Sequence, residues 1–465
     1  MTTLVHLRDT YRLRCNPLFN TPGPHWVAVC LEPHFWEGSQ YGIPRMSDRR
    51  KRYLLEGLEE LRADLRAIGG DLLVRKGKAE EVLPTLAEQL HAKRVVTALG
   101  GSSEEKRSDR KLLRSLRERS IDLERIEANG LFTLEDLPFP FEKLPRSFTG
   151  FRKKVEERCD VLPAGPTLKE AAPLPPDMDA GALPEKPSVS MDPRATWSVR
   201  GGEESAREQL RYYLSQESLA GIYKKTRNQL LGRNFSSKWS VHFAPGFLSP
   251  AETWHAIDEF EREVVRNEST YWLKFEILWR EYFRWWGRLH GSQVYHYTRR
   301  SGSPPLAPER FEAWCTGQTG VPFVDANMQE LVATGFMSNR GRQNVASYLV
   351  RELDQDWRRG AAFFESHLLD YDVGSNWGNW ASVAGAGPFA GKDRPFNMLL
   401  QASRYDGKGR YVKHWLPELE SCPGITAHWP WLRAPDRFPP PIASSPYWDR
   451  VIAESQGSQQ VALPL

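Results

Sequence analysis

What this sequence lacks narrows its chemistry before any motif is read. Its five cysteines (Cys15, Cys30, Cys159, Cys315, Cys422) form no C-x-x-C pair and no metal-ligand spacing. That argues against a disulfide framework, an oxidising compartment and a structural zinc, and no metal site is expected. No apolar run approaches the roughly 18 residues of a membrane span. Met1–Cys15 carries charges where a signal peptide needs an apolar core, so a cytoplasmic protein free of membranes is expected. There is no G-x-G-x-x-G, which leaves a Rossmann dinucleotide site unsupported, and no internal repeat. A net charge of +4 is too small to predict nucleic-acid binding by itself.

What is present points elsewhere. At 465 residues the chain fits two or three domains, and 40% hydrophobic with 26% charged residues suits packed cores. Seventeen tryptophans are unusual, and many fall between Trp272 and Trp380 beside Arg, Asn and Asp. Stacking surfaces or electron carriers would need that placement, while a large helical core would also absorb bulky aromatics. Arg and Lys recur with aromatics through Tyr223–Arg233, Arg280–Arg288 and Arg340–Arg342. A surface that tracks a nucleic-acid backbone and stacks its bases has this composition, as do solvated helix faces.

Apolar runs at Thr3–Leu7, Trp26–Leu31, Leu72–Arg75 and Arg94–Ala98 read as buried strands. Between them, helical periodicity over Ser47–Ile68, Glu80–Leu90 and Glu104–Leu116 predicts crossover helices. This alternation implies an α/β domain with a doubly wound parallel sheet over residues 1–160. A Pro-, Ala- and Gly-rich stretch makes 161–200 a linker. Residues 201–440 read as an all-α domain, with helices at Glu203–Leu214, Pro250–Arg266, Ser269–His290, Asp325–Thr334, Gly341–Leu353 and Arg359–Leu369. The remainder, 441–465, is a tail with a short helical piece at Tyr447–Ser455.

Three segments carry chemistry. In STYWLKFEILWREYFRWWG (269–287), Trp272, Glu276, Trp279 and Arg280 share one helix face. Two indoles, a carboxylate and a guanidinium suit a cavity that stacks flat rings, although an amphipathic helix with an internal Glu276–Arg280 pair has the same spacing. The cluster FSSKWS (235–240) offers Ser236, Ser237, Lys238 and Ser240 to a diphosphate, or is an ordinary loop. FMSNRGRQN (336–344) and LDYDVGSNWGNW (369–380) supply Asn339, Arg340, Arg342, Asp370, Asp372, Asn376 and Trp380. Directional polar groups and a paired charge of this kind suit the edge of a flavin, and an Asx-rich turn capping two helices would also use them.

Together with GQTGVPFVDAN (317–327), TRNQLLG (226–232), RPFNMLLQ (394–401), HWLPEL (414–419) and, more loosely, LPFPFEKLPRSFTGFRKKVE (137–156), these motifs resemble the cryptochrome DASH subfamily of the photolyase/cryptochrome family. The resemblance covers most of residues 200–420 in the family's order and spacing. It implies one non-covalent FAD in the helical domain and an antenna-type first domain. By motif, Tyr223 and Ser236–Ser240, Trp239 included, would face the phosphates, and Trp272 would join the lining. Arg280, Asp370 and Asp372 would contact flavin and adenine, with Arg342 paired to the acidic side and Asn376 at flavin N5. Glu276 and Trp279 would meet the substrate, Asn339 would sit between the flavin and the bound lesion, and Arg340 and Arg394 would bind DNA phosphates. Trp380 and Trp357 match the proximal and middle members of an electron-transfer chain.

The implied activity is light-driven repair of cyclobutane pyrimidine dimers in single-stranded or looped DNA by a monomeric deoxyribodipyrimidine photo-lyase. The alternative is a non-enzymatic blue-light photoreceptor using the same FAD. The lack of a long C-terminal extension weighs against that alternative. A general flavin oxidoreductase lacks its nicotinamide signature. Two departures accompany the resemblance. Ser301–Arg310 has no distal Trp, and Gly100-Gly101 stand where folate-binding members carry a Glu. A folate-type second chromophore therefore has less support than FAD.

Overall fold

The computed structural model describes residues 2–215, 219–296, 307–387 and 396–443. Short aliphatic runs without a polar face form a sheet buried on both sides. Strands β1 (Thr3–His6), β2 (His25–Leu31), β5 (Leu72–Lys76), β6 (Arg94–Ala98) and β7 (Asp122–Ile126) pair in parallel in the order β5-β2-β1-β6-β7. The intervening β3 (Ser39–Gln40) and β4 (Ile43–Pro44) form a small hairpin apart from it. The helix Asp48–Ala67 packs Leu55, Leu58, Leu61 and Leu65 on one face of the sheet. Ala79–Gln89 and Ser103–Arg117 cover the other with Leu83, Leu86, Leu112 and Leu116. Strand β7 escapes a hydrophobicity reading because DLERI is mostly charged, which an edge strand tolerates. The strand order reverses between β1 and β6, so their C-terminal ends frame the crevice where such sheets receive ligands.

From Cys159 to Gly202 the chain forms neither helix nor strand. It is pinned to the sheet half by backbone hydrogen bonds at Leu162, Leu168, Ala171, Ala172 and Ala180. Beyond it the described chain is helical. The longest helix, Glu268–His290, starts at an Asn267–Thr270 capping box. It crosses Val373–Ala384 closely. A Cβ on Gly374 would lie 2.6 Å from the Phe283 carbonyl oxygen, so glycine permits the approach. Among the described residues no helix is long and apolar enough to cross a membrane. The helical piece expected at Tyr447–Ser455 lies outside the described residues.

One carboxylate ties the long helix to the sheet. Glu127, just past β7, receives Arg284 Nη2 at 2.7 Å and Arg288 Nη1 at 2.5 Å, and all three side chains are almost fully buried. Arg12, itself buried, donates to the carbonyls of Cys15, Gly246 and Ala128 and so joins the same two halves. Burial alone would raise the Glu127 carboxyl, but Arg288 and Arg284 outweigh it and hold the group below its ordinary value. Its contribution to stability is therefore complete above the ordinary carboxylate range and drains as pH falls through the depressed value. Glu127→Ala, which strands two buried guanidiniums, should cost about 3–5 kcal/mol in chemical denaturation. The deficit against wild type should shrink in acid, and a deficit independent of pH would contradict the assignment.

Candidate functional site

The FSSKWS segment leads into the short helix Ser240–Phe243. There Ser240 Oγ donates to Asp370 Oδ2 at 2.8 Å, and Arg342 Nη2 meets the same oxygen at 2.8 Å. Arg342 is fixed from behind by Nε donation to the Met337 carbonyl. The pairing left open between Asp370 and Asp372 thus falls on Asp370. Its other oxygen, Oδ1, is buried without a hydrogen-bond partner among the described residues, as is Trp239 Nε1. Lys238 adopts a left-handed backbone, φ 58°, and is 3% exposed. Its ammonium lies 3.5 Å from the Phe235 ring centroid and 3.9 Å from that of Phe336, and burial pushes it down to about 7. Ser237 is held through its carbonyl by Gln209, and Tyr223 is buried nearby.

Asp372 caps Val373–Ala384 by accepting from the Ser375 amide at 2.8 Å and faces Arg280 at 3.7 Å. Burial favours protonation of this carboxyl, yet Arg280 and Arg284 hold it below its ordinary value. Arg280 donates to the Asn129 carbonyl at 2.7 Å, and burial lowers it to about 10. The internal Glu276–Arg280 pair that the spacing allowed is not made, because both groups find partners on other elements. Asn376 gives its Nδ2 hydrogen to the Ala361 carbonyl at 2.9 Å. That fixes the amide, so its carbonyl oxygen is the end available to a ligand.

Arg227 is the group that sequence reading missed, although it lies in the quoted TRNQLLG. Its Nη1 sits 2.7 Å from Glu276 Oε1 and its guanidinium 4.3 Å over the Trp272 ring, with Lys224 also 4.3 Å from that ring. Desolvation raises the Glu276 carboxyl despite Arg227. Trp279 joins a different group, stacked on Phe148 at 3.7 Å and 14° and on Phe283 at 5.5 Å. Asn339 is exposed at the start of Asn339–Arg351. Arg340 donates to Gln343 and Asn228 and lies 4.4 Å over Tyr405. Arg394 falls outside the described residues. Trp380 and Trp357 are both buried. Among the described residues, Trp380 lies 5.1 Å from the Phe364 ring and 6.1 Å from Trp314, while Trp357 meets Trp377 at 5.8 Å.

A cavity of about 170 Å³ opens at the strand-order reversal. It runs from Arg8, Asp9, Glu32 and Ser102 at the sheet to Arg280, Tyr371 and Asp372. Burial pushes the Asp9 and Glu32 carboxyls up to about 7. The amides of Gly101 and Ser102, which would otherwise greet an anion, are already taken by the Glu105 carboxylate.

The polar groups gathered around Asp370 suit a flavin dinucleotide. A carboxylate oxygen of Asp370 and the indole N–H of Trp239 are buried polar atoms that lack a partner among the described residues, and the Asn376 carboxamide is fixed by Ala361. Comparison with known proteins agrees. Residues 272–462 match the FAD binding domain of DNA photolyase, and residues 8–175 match the DNA photolyase family. Cryptochrome DASH of Gloeobacter violaceus is 43% identical, over 88% of this chain and 83% of that protein. That of Xenopus laevis is 37% identical over 96% and 90%. The crystal structure of a Synechocystis cryptochrome superposes with a TM-score of 0.88 at 35% identity, covering 98% of both chains.

Removing the Asp370 carboxylate leaves Arg342 without its partner. Asp370→Ala should purify with about tenfold less flavin per chain or worse, an effect of about 1.4 kcal/mol or more, read as the ratio of visible to ultraviolet absorbance. Undiminished flavin content would remove Asp370 from the cofactor site.

Proposed function

The chain belongs to the cryptochrome DASH branch of the photolyase/cryptochrome family, and from that premise we propose that it uses light to split cyclobutane pyrimidine dimers in single-stranded or looped DNA. FAD is the cofactor of its helical half; Arg342, Asp370 and Asn376 would hold it, and when reduced it would supply the light-driven electron that the repair needs. The protein's task is to bring the dimer out of its stack, hold it and shape the charge around it. Unstacking costs a few kcal/mol, least where the strand is already unpaired.

The observation that carries this reading is the Glu276 carboxylate, partly buried, raised by desolvation and paired with Arg227, whose guanidinium lies over the Trp272 ring. A structural ion pair needs no indole platform. A carboxyl poised to hydrogen-bond a pyrimidine edge does, and its role is electrostatic with no part as a nucleophile. Asn376 offers its carbonyl oxygen to the flavin edge, and Arg342 with Asp370 supplies a paired field that tolerates a negative ring. Asn339 and Arg340 stand at the exposed rim with Asn228 and Tyr405. Arg340 offers a guanidinium to phosphate, and Tyr405 a face on which a base stacks. In this reading Trp279 reaches the pyrimidine only by sharing its stack with Phe148. A folate-type second chromophore would lie in the cavity at the strand reversal. Its walls mix carboxylates with the guanidiniums of Arg8, Arg45, Arg50, Arg280 and Arg284, and its helix amides are occupied by Glu105.

Illuminating the pure protein with dimer-containing single-stranded DNA tests the activity. Restored thymine absorbance is expected, and flavin reduction without repair would favour a photoreceptor. Glu276→Ala should keep its flavin yet lower repair per photon roughly tenfold, the worth of one charge-assisted hydrogen bond. Equal quantum yields would exclude Glu276 from the reaction. DNA affinity should fall as salt rises, and Arg340→Ala should flatten that slope by about 0.7 per lost phosphate contact. An unchanged slope would remove Arg340 from the DNA interface.

A further inference from the structure

If Trp380 and Trp357 carry electrons, the chain needs an outer end, and Ser301–Arg310 contains neither Trp nor Tyr. The structure offers one in another direction. Trp357 lies edge-to-face with Trp377 at 5.8 Å between ring centroids. Trp377 shares the helix Val373–Ala384 with Trp380, about one turn away. The Trp377 Nε1 hydrogen is donated to the Tyr371 hydroxyl at 3.2 Å. Tyr371 in turn donates its phenolic hydrogen to Glu365 Oε2 at 2.8 Å. We propose that Tyr371 is the terminal electron donor of this aromatic chain and that Glu365 takes its proton. The inference rests on the flavin reading above, because photoexcited oxidised flavin is the oxidant that starts the transfer.

The step balances within the described residues. The Trp377 indole, left as a radical cation by transfer toward Trp357, takes one electron from the Tyr371 ring. The phenolic O–H bond breaks and its proton moves to Glu365 Oε2. A neutral indole, a neutral tyrosyl radical and a protonated carboxyl result, so one positive charge has passed from Trp377 to Glu365. Burial holds the phenol well above its ordinary value, so the hydrogen is on the oxygen before illumination and must leave with the electron. A phenol radical cation kept in a buried site would carry the full cost of an uncompensated charge.

Geometry separates Tyr371 from its competitor. Tyr295 is nearer to Trp377, at 4.8 Å, but its buried hydroxyl has no hydrogen-bond partner among the described residues, so its proton has no acceptor. Glu365 can accept one without stranding a cation. Arg45 binds its Oε1 at 2.7 Å and also holds both oxygens of Glu104, at 3.2 and 3.0 Å. Arg50 lies 4.7 Å over the Tyr371 ring, where a positive charge favours loss of the phenolic proton on oxidation. Tyr371 also lines the cavity between the halves.

Electron paramagnetic resonance on the illuminated flavin-loaded protein tests this, with tyrosine ring deuteration to identify the radical. A tyrosyl signal is expected in wild type and in Tyr295→Phe. In Tyr371→Phe it should be replaced by a shorter-lived tryptophan radical. Glu365→Gln, which keeps a hydrogen-bond acceptor but weakens the base, should slow tyrosyl formation and enlarge its slowing in deuterated water. A tyrosyl signal surviving in Tyr371→Phe overturns the proposal, as does its loss in Tyr295→Phe. A tryptophan radical without any tyrosyl signal in wild type overturns this proposal alone. No light-induced radical of either kind overturns the flavin reading with it.

Discussion

The pairing of Glu127 with Arg284 and Arg288 is the constraint on which the rest hangs. It fastens one long helix against the end of a sheet, and that helix carries Trp272, Glu276, Trp279 and Arg280. Three buried charges are a poor source of stability in themselves. Their value is positional, since the pair fixes both the rotation and the depth of the helix. With that setting, Arg280 reaches Asn129 and Asp372, and Glu276 is turned to Arg227.

The site that results is a set of half-satisfied polar groups. Asp370 spends one oxygen on Ser240 and Arg342 and keeps the other bare. Asn376 donates one amide hydrogen to the Ala361 carbonyl, which leaves its oxygen for a ligand. A folded chain rarely leaves such groups buried and unpaired unless a ligand completes them. The family's FAD-binding domain is the form of completion that the sequence and its relatives agree on.

Much of the fold was legible because it depends on local pattern. Apolar runs gave β1, β2, β5 and β6 to within a residue or two, and the helical period gave Asp48–Ala67 and Glu268–His290. Strand β7 was hidden by its charges, which only its edge position explains. In the site, residue types were legible and partnerships were not. The i,i+4 spacing of Glu276 and Arg280 invites a pair, but competitors about 50 and 150 residues away in sequence win both groups. Arg227, Glu127 and the Tyr371–Glu365 hydrogen bond belong to this class, where tertiary packing decides and local spacing is silent.

The visible absorption spectrum of the purified protein tests the central claim most directly. Flavin bands are expected, with about one FAD per chain released on denaturation. A colourless preparation that takes up no flavin on reconstitution would contradict it.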